Sequence, residues 1–78
     1  MPISLRAAAL RTALERMLDE PVRLISRPGA TRLYAVAPDA YRRETWRLLL
    51  DVLGSADKWG STDASGRPEV WAEVRDES

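Results

Sequence analysis

Two short strings of alternating character, Leu33-Tyr34-Ala35-Val36-Ala37-Pro38-Asp39 and Val70-Trp71-Ala72-Glu73-Val74-Arg75-Asp76, lie 37 positions apart, and each closes a turn-rich segment that follows an amphipathic helical stretch. An offset of this size is a repeat signature. It points to two helix-strand-strand units, residues 1–37 and 38–78, within one domain. Only Ala35/Ala72 and Asp39/Asp76 are identical, so internal duplication is one reading of the echo and coincidence is the other.

The local signals agree with that order. Ser4 suits the N-cap of a first helix running to about Asp19, in which Ile3, Ala7, Leu10, Leu14 and Met17 recur at spacings of three and four, with Leu18 beside them. Arg11 with Glu15, and Arg16 with Glu20, are four apart on the outer side. Pro21 disfavours helical geometry at Glu20 and ends the helix. Val22 to Arg27 reads as a strand, Arg27-Pro28-Gly29-Ala30 as a type II turn, and Thr31 to Ala37 as the returning strand. Asp39 is the expected cap of a second helix to about Leu53, and Gly54 its expected left-handed stop. The apolar side of that helix centres on Leu49, with Trp46, Val52 and Leu53 around it, Leu48 on its flank, and Arg43, Arg47 and Asp51 opposite. A short strand near Lys58 to Thr62 and a longer one from Glu69 to Arg75 form a second hairpin. Its turn uses Asp63, Ser65 and Gly66.

The αββαββ order predicts an α+β fold. Its simplest form is a two-layer sandwich, with a four-stranded antiparallel sheet and two helices on one face. A chain of 78 residues buries a small share of its surface, and with no cysteine it has no disulfide to support it; the 45% of apolar residues must build the core alone. No apolar run is long enough to span a bilayer, and the start lacks the basic-then-apolar order of a secretion signal. The expected location is cytoplasmic.

Several kinds of chemistry are absent. With neither histidine nor cysteine in the chain, zinc sites, thiol catalysis and the commonest general base are excluded. Serines 4, 26, 55, 61 and 65 occupy cap or turn positions with no histidine to activate them. Asp57, Asp63, Glu69 and Glu73 match no calcium-loop spacing. The stretch Gly54 to Thr62 has glycines, a lysine and hydroxyls, but the lysine precedes the second glycine, the wrong order for a phosphate-binding loop. Small-molecule binding between the layers lacks specific polar residues. No enzyme activity, metal or cofactor is expected.

Charge is balanced overall but not along the chain. Residues 1–47 hold nine arginines against five acids, and residues 48–78 hold three basic residues against seven acids. That asymmetry argues against a uniformly basic nucleic-acid clamp and leaves room for a local basic face.

Strand alternation separates two faces. Val22, Leu24, Leu33, Ala35, Ala37, Val70, Ala72 and Val74 turn toward the helices. Arg23, Ile25, Arg27, Arg32, Tyr34, Val36, Glu69, Trp71, Glu73 and Arg75 fall on the open face. Tyr34 and Trp71 occupy equivalent places in the two units, and the partner-binding set drawn from this face is Arg23, Ile25, Arg32, Tyr34, Trp71 and Glu73. Tyrosine, tryptophan and arginine are enriched at protein interfaces, which suits a homodimer or an adaptor. The same rings could stack unpaired bases while arginine meets phosphate, although Glu69 and Glu73 would repel it. The plainest reading is that the rings only cover the sheet. An alternative nucleic-acid surface is the side of the second helix carrying Arg42, Arg43 and Arg47, with Tyr41 nearby, for duplex DNA. A helix-turn-helix reader, however, needs two helices joined by a short turn, and here two strands intervene. An Arg47–Asp51 pair on a solvated face is the simpler expectation, and Trp46 and Trp59 are expected to pack on each other or on the core.

Overall fold

The computed structural model describes residues 4–63 and 66–76. Its elements are α1 (Leu5–Leu18), β1 (Arg23–Arg27), β2 (Ala30–Val36), α2 (Arg43–Leu53), β3 (Lys58–Thr62) and β4 (Glu69–Arg75). The four strands form one antiparallel sheet in the order β1-β2-β4-β3, with the two long strands in the middle. This is the expected α+β architecture.

One side of the sheet carries the core. Leu33, Ala35, Val70, Ala72 and Val74 meet Ala7, Leu10 and Leu14 of α1 and Leu49 and Leu53 of α2, and all are buried. Because successive strand residues point to opposite faces, a core drawn from Leu33/Ala35 and Val70/Ala72/Val74 places both helices on the same side. Met17, Leu18, Trp46 and Val52 pack around it, as the helical spacing requires; Ile3 lies outside the described residues. The helix layer is narrower than the sheet, so the inward-facing Ser26 of β1 and Trp59 and Ser61 of β3 remain exposed.

Ser4 caps α1 by accepting the Ala7 amide at 3.1 Å, and Asp19, at φ 52°, closes it in the left-handed conformation two residues before Pro21. Glu15 accepts both the Val22 amide (3.1 Å) and Arg11 Nε (3.4 Å), which fixes the path from α1 into β1. Gly29, at φ 77°, provides the turn between β1 and β2, and Gly66, at φ 87°, donates its amide to Asp63 O at 2.9 Å in the second hairpin. Ser65 of that turn lies outside the described residues.

Four local expectations are corrected. Asp39 does not cap α2: its carbonyl, not its carboxylate, is used, accepting Arg42 N and Trp46 Nε1, and the helix starts four residues later behind an Arg42 that makes no side-chain cap. Gly54 is right-handed (φ −63°), because α2 unwinds through tight bonds from Ser55 to Val52 O and from Ala56 to Leu53 O directly into β3. Arg47 and Asp51 form no ion pair, nor do Arg16 and Glu20, whereas Arg11–Glu15 does at 3.4 Å. Trp46 is held by bonds to Pro38 O and Asp39 O and packs on the core, but Trp59 is 47% exposed on the edge strand.

Candidate interaction face

The side of the sheet without helices brings together all six residues of the expected partner-binding set. The registers Arg23↔Tyr34, Tyr34↔Trp71 and Gly60↔Trp71 form one row across the four strands, and Ile25↔Arg32, Arg32↔Glu73 and Lys58↔Glu73 form the next. Tyr34 and Trp71 are therefore direct neighbours across the central ladder, at the separation over which cross-strand side chains interact.

Neither ring is bare. Arg32 donates from Nε (3.1 Å) and Nη2 (2.8 Å) to the same oxygen of Glu73, and its guanidinium carbon lies 4.3 Å from the centre of the Trp71 ring. Arg23 reaches across β2 to Glu69 at 3.5 Å and passes over Tyr34, 4.9 Å from its ring centre. Each cation is thus shared between a carboxylate and an aromatic face, contacts worth about 0.5–1 kcal/mol each where solvent still reaches. Arg32 also donates to the Tyr34 hydroxyl at 3.4 Å; that bond, then the one to Glu73, raises its pKa above the usual arginine value and keeps it charged. Glu69 is only 9% exposed although no helix covers this side.

Trp71 leans the other way as well. A Cβ placed on Gly60 would lie 2.9–3.0 Å from Cζ2, Cε2 and Nε1 of the indole, so the ring rests on the bare backbone of β3. This approach went unread in the sequence, although a glycine inside a strand marks such contacts. A depression of about 400 Å³ remains between Ile25, Tyr34, Trp71 and Thr62.

The arrangement bears on stacking chemistry. A base could reach either ring only by displacing a guanidinium, and a phosphate there would meet Glu69 and Glu73. The second basic set lies elsewhere: Arg42, Arg43 and Arg47 are exposed at the start and outer side of α2, beside Tyr41 at 80% exposure, and form no ion pair among the described residues.

Asp57, which the sequence offers only as one of four acids without a calcium-loop spacing, has a structural role. Asp57 Oδ2 accepts the Arg75 amide at 2.7 Å and Arg6 Nη1 at 3.4 Å, while its own amide donates to Glu73 O. Its carboxylate extends the β3–β4 ladder beyond Lys58 and ties it to α1. The Arg75 amide first, then the charge and hydrogen bond of Arg6, hold its pKa below the ordinary carboxylate value. A hollow of about 350 Å³ between the helices, lined by Ala9, Leu10, Ala13, Val52 and Val74, is apolar, and Arg6 at its rim is engaged with Asp57 and Ser55 O. Among the described residues no cluster of acids could hold a metal ion, and no helix is long and apolar enough to cross a membrane. No family model, curated protein or solved structure matches the chain.

Proposed function

We propose that this protein is a small non-enzymatic interaction module that docks a protein partner, a second copy or another chain, on the open sheet face around Tyr34 and Trp71. The observation that carries this reading is the pairing of both rings with guanidiniums that are themselves matched to Glu69 and Glu73. Such a surface is aromatic, preorganised and locally neutral, the composition of a protein interface rather than of a phosphate track. Light scattering after size exclusion, over a concentration series at physiological salt, tests it. A dimer that dissociates in Tyr34→Ala with Trp71→Ala, and in the milder Ile25→Asp at a 42% exposed position, supports self-association through this face. A dimer that survives all three substitutions places the interface elsewhere and overturns the reading, while a monomer leaves the adaptor form, tested below.

A second reading rests on the exposed arginines of α2, which no acid among the described residues neutralises. It assigns Arg42, Arg43 and Arg47 to a DNA duplex. Binding would then weaken steeply with salt and vanish in Arg43→Glu with Arg47→Glu; no shift of a labelled duplex at low salt removes it.

A further inference from the structure

The open face is not neutral throughout. Five cations lie on it, Arg23, Arg27, Arg32, Lys58 and Arg75, against Glu69 and Glu73. Arg23 and Arg32 take the two carboxylates, and Arg27, Lys58 and Arg75 form no ion pair among the described residues. The register gathers these three at the Pro28-Gly29 end of the sheet. Arg27 and Arg75 pair with Ala30 from opposite sides, so their Cα atoms stand about 10 Å apart, two strand spacings. Ala30, 9% exposed, belongs to no part of the core cluster and forms a low floor between them. Lys58 lies on β3 in the neighbouring row, opposite a Glu73 already bound by Arg32. Asp57 acts on Arg75 through space, but its carboxylate is taken by the Arg75 amide and by Arg6.

We infer that this end of the face, Arg27 and Arg75 flanking Ala30 with Lys58 beside them, holds the carboxylates of an acidic polypeptide segment whose apolar side chain rests against the exposed Ile25 in the next row. The inference rests on the docking face proposed above and names the chemistry of its partner. Guanidiniums recognise carboxylates through directed, charge-assisted bonds, and only the row of Ile25, Arg32, Glu73 and Lys58 separates the Arg27–Arg75 pair from the aromatic row. A nucleic-acid strand fits less well, because the cations stop after one end and the next rows present Glu73 and Glu69.

Selection of random peptides displayed on phage against the full-length chain tests this, with labelled oligo(dT) as a parallel probe. The expected binders carry several acidic residues beside an apolar one. Their affinity falls roughly tenfold in Arg27→Glu with Arg75→Glu, falls on raising salt, and falls in Ile25→Asp. Arg16→Glu, at an exposed position of α1, leaves it unchanged. Circular dichroism checks that each of these surface variants is folded. Binders that need Ile25 but are not acidic, and ignore Arg27 and Arg75, overturn the inference and leave the docking face standing. Binders indifferent to Ile25, Arg27 and Arg75, or a selection with no enrichment, overturn the inference; they overturn the docking face as well only where the chain is a monomer in the light-scattering series. Oligo(dT) bound more tightly than any peptide, through Arg27 and Arg75, replaces the acidic segment by nucleic acid.

Discussion

Trp71 of β4 touches both neighbouring strands at once, through Gly60 of β3 beneath it and, from β2, Tyr34 beside it and Arg32 over its ring. Placing a methyl group at Gly60 sets two effects against each other. A strand residue gains about 0.5–1 kcal/mol over glycine, but a Cβ at 2.9 Å forces the indole off its seat, and overpacking of this kind costs about 1–3 kcal/mol. The clash wins, so Gly60→Ala should lower stability in urea by about 1 kcal/mol, and in a Trp71→Ala background the same change should be neutral or stabilising. Asp57 offers a test by pH. Its folded pKa is depressed by the Arg75 amide and by Arg6. The stability it contributes is therefore complete above the unfolded carboxylate value, about 3.9, and is lost as pH falls through the lower folded value. Asp57→Asn should melt below the wild type at neutral pH, and thermal scans at decreasing pH should bring the two curves together; a gap that persists in strong acid would show that charge is not what Asp57 contributes.

The two hairpins were the most legible elements, because their punctuation is chemical. Pro28-Gly29 can place only Gly29 at φ 77° without strain, and nothing lies within 4 Å of a Cβ added there. Gly29→Ala should therefore cost about 1–2 kcal/mol by backbone strain alone. Its denaturant midpoint should drop with an unchanged slope, since the compactness of neither state is altered. The apolar spacings of both helices were equally readable, and strand parity placed Tyr34, Trp71 and their neighbours on one face. The ends of α2 were not. Asp39 has the side chain of a cap, but the chain first makes a turn that Trp46 fastens to Pro38 O and Asp39 O, a tertiary contact that local propensity does not encode. Gly54 likewise stays right-handed because the chain leaves α2 through the bonds from Ser55 to Val52 O and from Ala56 to Leu53 O. On the candidate face, parity was legible but pairing was not: that Arg32 chooses Glu73 and Trp71, or that Arg23 crosses a strand to Glu69, follows from β2 lying against β4, which a sequence read strand by strand does not give.

The echo between the two halves acquires a geometric meaning in the sheet. Adding 37 to both members of Arg23↔Tyr34 gives Gly60↔Trp71, also a pair, and the offset exchanges β2 with β4 about the Tyr34↔Trp71 pair itself. The strand order β1-β2-β4-β3 has the same two-fold pattern. The helices follow a different offset, 39, since Ala7, Leu10 and Leu14 correspond in role to Trp46, Leu49 and Leu53; four residues join helix to strand in each half, and the two positions of difference are taken up in where the elements end. Each half is nevertheless incomplete. The longest ladder, β2 with β4, runs between the halves, and the core takes Leu10, Leu14 and Leu33 from one and Leu49, Leu53 and Val70 from the other. A chain cut in the turn before α2 would expose half a core on each piece, with too little buried surface to offset the chain entropy lost on folding. Peptides spanning residues 1–38 and 39–78 should each lack a cooperative thermal transition, and an equimolar mixture should recover one together with the far-ultraviolet spectrum of the intact chain. A half that melts cooperatively alone and as a monomer would show that its own hairpin and helix suffice. A half that does so only as a dimer would pair β2 with β2, or β4 with β4, across the two-fold that Tyr34 and Trp71 now occupy.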